Sequence, residues 1–180
     1  MRSSNCLKIV ALVLFLSFLF ANGQLKEIFA RKTFSAKVIG IADGDTMEVL
    51  YHKKTVKIRL AHIDAPEKRG SQPFGNNAKK ALSDLCFGRT VRVNAQSYDR
   101  YQRLIAVVIN DKHQNVNQEM VKQGLAWHYK KYSSDAAYAQ LQVEARKKRV
   151  GLWQDKNPIE PWLWRKNKKN ESQNFKSRTF

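Results

Sequence analysis

Cysteine is nearly absent from this chain, which has only Cys6 and Cys86 among its 180 residues. Long apolar runs are scarce as well. One occupies residues 9–20, broken by Ser17 alone, and it is too short for a bilayer span of about 20 residues. Arg2 and Lys8 lead into it and Ala21-Asn22-Gly23 follows, the layout of an export signal. Residues 1–23 are therefore read as a signal peptide and 24–32 as a connector, which predicts an exported protein, periplasmic or secreted. Removing the signal removes Cys6. An intrachain disulfide is then excluded, and the fold must be held by its core, which a domain of about 130 residues can do. Cys86 lies on an apolar helical stripe and reads as a small buried hydrophobe rather than a reactive thiol.

Acidic residues are also few, 15 against 33 Lys and Arg. Without Arg2 and Lys8 the balance is 31 to 15, and setting aside the tail from Asn157 still leaves 25 to 13. The domain itself is basic, which favours a polyanionic partner such as nucleic acid over mere solubility or attraction to acidic membranes.

What remains is organised as short alternating runs. Residues 33–41, 47–51, 55–60, 90–95 and 104–109 read as five strands, broken by Asp43-Gly44, Pro66 and polar turns. Phe74, Ala78, Leu82 and Leu85 recur at helical spacing, with Gly88 beyond them. A short helix is expected over residues 118–123 with Asn117 as its cap, and a third begins at Ser133-Ser134-Asp135. The run Arg146-Lys147-Lys148-Arg149 reads as the charge-complemented end of that third helix. Five strands with one inserted helix favour a small closed barrel over a doubly wound sheet. The class is α+β, mainly β, with the domain at 33–156. Residues 157–180 read as the continuation of an extended Trp/Pro strap that begins near Gly151, ending in a basic, disordered tail.

The chemistry concentrates in residues 41–67. If the second and third strands pair as a hairpin, the Asp43-Gly44-Asp45 turn and the Asp64-Ala65-Pro66-Glu67 turn emerge at the same end. Cleaving a phosphodiester requires cations aimed at the phosphate oxygens, a carboxylate to orient or deprotonate water, and in many sites a hard divalent cation held by oxygen ligands. Asp45, Asp64 and Glu67 supply oxygens, Arg59 a nearby guanidinium, and the Asp99-Arg100-Tyr101-Gln102-Arg103 turn a second.

Taken in order, Ala-Asp-Gly-Asp-Thr, Arg-Leu-x-x-Ile-Asp-Ala-Pro-Glu, Asp-Arg-Tyr-x-Arg and Val-x-Gln-Gly-Leu-Ala resemble the staphylococcal nuclease (thermonuclease) family over roughly residues 33–153. The resemblance implies a five-stranded OB-fold barrel with three helices. It also implies calcium-dependent cleavage of DNA and RNA with little sugar specificity, leaving 3′-phosphate ends. By the same resemblance Asp45 and Asp64 fall on calcium-binding carboxylates, and Ala65 on a position where the family has threonine and uses its main-chain carbonyl. Glu67 falls on the proposed general base, and Arg59 and Arg103 on phosphate-clamping arginines. Arg100 and Tyr101 resemble substrate-contacting residues of the same turn. Trp127, Tyr129 and Tyr132 are candidate base-stacking rings, with core packing an equal alternative. The expected partners are DNA and RNA, with no stable membrane association after signal cleavage, and the expected state is a monomer. The competing class is a non-catalytic OB-type module for single-stranded nucleic acid, distinguished by whether all five charged positions (Asp45, Arg59, Asp64, Glu67, Arg103) are present. They are.

Overall fold

The computed structural model of the chain describes residues 33–69 and 71–177, with side chains through 173. The expected signal peptide and connector lie outside the described residues. Alternation builds a closed barrel of five strands. β1 (Thr33–Asp43), β2 (Thr46–Tyr51) and β3 (Lys54–Leu60) are followed by a two-residue β4 (Ile63–Asp64), then β5 (Thr90–Tyr98) and β6 (Leu104–Ile109). The barrel order is β1-β2-β3-β6-β5, with β3 and β6 parallel and the other ladders antiparallel. It closes where Val38 N–H donates to Arg89 O and Val38 O accepts from Gly88 N–H. Phe34, Ala36, Val38, Met47, Val49, Ile58, Leu60, Val91, Val93, Leu104, Ala106 and Val108 fill the interior, the set that period two assigns to one face.

Helix α1 (Gly75–Cys86) packs Ala78, Leu82 and Cys86 on this core. Cys86 is fully buried and its Sγ donates to Leu82 O, and burial pushes the thiol up to about 12, so it is structural. Helix α2 (Val116–Lys122) is capped by Asn115, whose side chain accepts from Gln118 N–H. Asn117, expected as the cap, is instead buried inside the first turn. Its Oδ1 accepts from Val108 N–H, and its Nδ2 donates to Ala61 O and Ala106 O. Propensity cannot separate two Asn residues two positions apart; the demand of three barrel groups for partners does.

The aromatic segment that carries the candidate stacking rings contains β7 (Trp127–His128), which pairs with β4 through Ile63↔His128 and Asp64↔Trp127. Helix α3 (Ala136–Lys147) begins at Asp135, which caps Ala137 N–H. Arg146, in its basic last turn, lies over the rings of Trp153 and Trp127 at 4.1 and 5.0 Å.

A short 3₁₀ turn (Gly151–Gln154) leads to the largest departure from the sequence reading. The segment expected as strap and disordered tail carries a fourth helix, α4 (Pro161–Ser177). Pro161 occupies the first helical position, where its missing N–H costs nothing and its φ is preset. Leu163 and Trp164 N–H both donate to Glu160 O. Trp162 stacks on Tyr129 (5.0 Å, 5°) and meets Trp127 edge-on (5.9 Å). This aromatic seat stabilises a helix that its own polar composition does not favour.

Candidate active site

The hairpin expected from the sequence forms, and its register builds the site. Thr46 pairs with Arg59, and Leu60 N–H donates to Asp45 O at 2.9 Å, so Asp45 and Arg59 stand side by side. The Arg59 side chain turns back over the strand end. Its Nη1 donates to Leu60 O (2.8 Å) and Ile63 O (2.9 Å), and its Nη2 meets Asp64 Oδ1 at 2.8 Å and Asp45 Oδ2 at 3.1 Å. Asp45 Oδ2 also accepts from Ala65 N–H, and its Oδ1 from Thr46 Oγ1. Asp43, by contrast, binds backbone: its Oδ1 accepts from Gly44 N–H in its own turn and from Lys68 N–H beside Glu67.

Two glycines permit this closeness. A Cβ on Gly44 would lie 2.6 Å from Ala78 Cβ and 2.9 Å from Ala65 Cβ, so the Asp45 turn can press onto α1 only as Asp-Gly-Asp. A Cβ on Gly75 would lie 2.5 Å from Glu67 O, so the start of α1 sits directly against the backbone that carries Glu67. Gln72 ties the same loop. Its Oε1 accepts from Glu67 N–H, and its Nε2 donates to Ile159 O just before α4.

The parallel pairing of Arg59 with Ile105 brings the turn before β6 alongside. There Asp99 organises the arginine. Its Oδ1 accepts from Tyr101 and Arg103 N–H, and its Oδ2 accepts from Arg103 Nε at 2.8 Å and lies 2.7 Å from Nη2. Arg100 donates to Tyr101 Oη, and both Arg100 and Arg103 lie over the Tyr101 ring, at 4.8 and 5.4 Å. The structure thus brings Asp45, Arg59, Asp64, Ala65 and Glu67 into one group. Arg100, Tyr101 and Arg103 form a second, on the neighbouring turn. Of the three candidate stacking rings, Trp127 is buried in the core, Tyr129 is covered by Trp162, and Tyr132 is exposed.

Sequence reasoning missed Arg165. From α4 it reaches the acidic group, with Nη2 2.6 Å from Asp64 Oδ2, Nη1 3.3 Å from Asp64 Oδ1, and Nη1 paired with Glu67 Oε1. The available signal was Trp162, Trp164 and Arg165 following Pro161, a helix start with aromatic anchors and a fork-shaped cation one turn on. Burial, and then the charge of Asp45, push Asp64 above the ordinary carboxylate value against the pull of Arg59 and Arg165. Burial raises Glu67 too, with Arg165 opposing. Burial would depress Arg165, but Asp64 and Glu67 outweigh it and the net shift is upward. Burial would likewise raise Asp99, yet the hydrogen bonds from Arg103 and Tyr101 prevail and hold it below its ordinary value.

Among the described residues no group of three or more His, Cys, Asp or Glu side chains closes around a point that could hold a metal ion. Arg165 is the cation that touches both Asp64 and Glu67, and Arg59 touches both Asp45 and Asp64. The donor chemistry nevertheless suits a hard divalent ion, since two buried carboxylates, Asp45 and Asp64, converge on the single nitrogen Nη2 of Arg59 beside the Ala65 backbone.

A closed OB-type barrel whose hairpin end gathers carboxylates and arginines, on a strongly basic domain, belongs to the phosphodiester-hydrolysing nucleases. The chain is a member of the staphylococcal nuclease family, whose profile, "Staphylococcal nuclease homologue", matches residues 57–155. It is 52% identical over 141 residues to a Haemophilus influenzae protein named an uncharacterized endonuclease, covering 78% of each chain. It is 42% identical over 147 residues to a micrococcal nuclease of Shigella flexneri, covering 76% of this chain and 83% of the relative. A staphylococcal-like nuclease of Arabidopsis thaliana, CAN1, is 43% identical over 139 residues, or 77% of this chain and 41% of the longer plant protein.

Proposed function

We propose that this nuclease is an exported, monomeric, calcium-dependent enzyme that cleaves both DNA and RNA and leaves 3′-phosphate ends. The observation that carries the reading is the convergence of Asp45 and Asp64 on Arg59 Nη2, with Glu67 linked to the same group through Arg165. Asp45 and Asp64, with the Ala65 carbonyl, would hold the calcium, whose charge would offset that of the reacting phosphodiester. Arg59 and Arg103 hold the phosphate oxygens, and Arg100 and Tyr101 line the approach of the strand. Glu67 orients the attacking water and accepts its proton. Water adds to phosphorus as the bond to the 5′ oxygen breaks and that oxygen takes a proton from solvent, giving a 3′-phosphate and a 5′-hydroxyl.

The basic surface supports a polyanionic substrate of either sugar, because phosphate contacts carry no base or sugar information. The test uses purified mature protein on plasmid, single-stranded DNA and RNA, with calcium or with chelator, beside Glu67→Gln and Arg103→Ala. Calcium-dependent loss of all three substrates, 3′-phosphate ends and strong impairment of both variants are expected. Chelator-insensitive cleavage would overturn the metal assignment, and full activity of both variants would overturn the roles.

A further inference from the structure

Helix α4 holds a guanidinium against two of the three carboxylates that calcium-dependent hydrolysis would require, Asp64 and Glu67. Arg165 takes both oxygens of Asp64, whose side chain is fully buried, and one oxygen of Glu67. Arg165 thereby fills part of the acceptor capacity of both carboxylates that a cation or a water would otherwise use. The contact is local in space yet spans about 100 residues of chain, so it depends entirely on where α4 docks.

The dock is specific but shallow. Pro161 is buried, Trp162 stacks on Tyr129, and Gln72 joins the Glu67 loop to the Ile159 carbonyl that precedes the helix. Beyond these contacts Leu163 is exposed, as are Lys166, Lys168 and Lys169.

We propose that Arg165 is a resident counter-cation of the site beside Arg59, and that a divalent cation and the Arg165 guanidinium compete for Asp64 while Glu67 helps to hold Arg165 there, so that α4 must release Arg165 before the site is loaded. The inference rests on the calcium reading above and adds a self-blocking helix to it. Like-charged occupants exclude one another: a divalent ion on Asp64 cannot share its oxygens with a guanidinium lying across the same edge. Lys166, Lys168 and Lys169 lie on the same helix, so a nucleic acid approaching the basic face would pull in the direction of release.

Calcium binding measured by calorimetry on the mature chain tests this without reference to turnover. Arg165→Gln is expected to bind calcium about tenfold more tightly than wild type, the worth of one charge-assisted anchor. Arg165→Lys should fall between, because an ammonium keeps the charge but cannot bridge two carboxylates as a fork. Lys168→Gln removes one charge from the same helix without touching Asp64 or Glu67, and is expected to match wild type; a gain equal to that of Arg165→Gln would reduce the effect to net charge and overturn the proposal. In wild type, calcium should speed amide exchange across residues 161–173; unchanged or slower exchange while calcium binds would show that Arg165 stays, and would also overturn it. Equal calcium affinity in wild type and Arg165→Gln overturns the competition while leaving the calcium reading intact. Absence of calcium binding in both removes the calcium assignment and the competition with it. Arg165 is partly exposed, so Arg165→Gln should fold normally, which circular dichroism checks.

Discussion

Asp99 opens the Asp-Arg-Tyr-x-Arg motif without a role of its own there, and the structure makes it the holder of Arg103. It accepts three hydrogen bonds, from Tyr101 and Arg103 N–H at Oδ1 and from Arg103 Nε at Oδ2, and Oδ2 pairs with Arg103 Nη2 at 2.7 Å. Replacing it by alanine frees the arginine and opens the turn. An ion pair this close to solvent is worth at most about 1 kcal/mol, and the two lost backbone bonds add a similar amount after water takes their place. The expected cost is about 1–2 kcal/mol, or a fall in Tm of roughly 3–6 °C for a domain of this size. The effect on cleavage should be larger in proportion. An arginine no longer held in one rotamer costs roughly 10- to 100-fold in kcat/KM when its position matters.

The pH dependence has a definite sign. Because Asp99 titrates below its unfolded value, its stabilising contribution is complete above about pH 4 and fades as pH falls through the depressed value. The stability gap between wild type and Asp99→Ala should therefore be constant at neutral pH and close in acid. Thermal unfolding from pH 3 to 7, with initial rates of plasmid cleavage for Asp99→Ala, Arg103→Ala and the double variant, measures all three effects. If Asp99 acts through Arg103, the double variant is no worse than Arg103→Ala. Fully additive losses, or wild-type rates in Asp99→Ala, would refute the reasoning.

Gly44→Ala places a methyl group 2.6 Å from Ala78 Cβ and 2.9 Å from Ala65 Cβ, neither of which can swing away. It should cost about 1–3 kcal/mol and reduce cleavage with it, since Asp45 rides on that turn; an unchanged Tm would count against the close approach. Asn117→Ala strips partners from Val108 N–H and Ala61 O in a fully buried setting. A loss of about 2–4 kcal/mol in urea unfolding is expected, whereas Gln118→Ala, on the same helix, should lose much less.

The barrel was legible because its signal is local. Alternating residues such as Val56, Ile58 and Leu60, separated by turn formers, can satisfy their backbone only as paired strands, and the stripe Ala78, Leu82 and Cys86 can be buried only as a helix face. The Asp45, Arg59, Asp64 and Glu67 group was legible for the same reason, since a hairpin of known register carries both of its ends to one place. Asn115 and Asn117 were confused because capping propensity reads residue type, while the buried Asn117 is chosen by three carbonyl and amide groups from distant strands.

Helix α4 lay beyond that reach. Its own composition, polar and rich in lysine, argues for a solvated tail, and only the rings of Tyr129 and Trp127 make it a helix by covering Trp162. Sequence by itself determined the barrel, the acidic hairpin end and the basic surface, because each follows from periodicity and charge within a few residues. Tertiary structure alone decided that Arg165, some hundred residues from Asp64 and Glu67, lies on both carboxylates. Contacts made by long, flexible, charged side chains leave no periodic trace, because they depend on where separate elements dock.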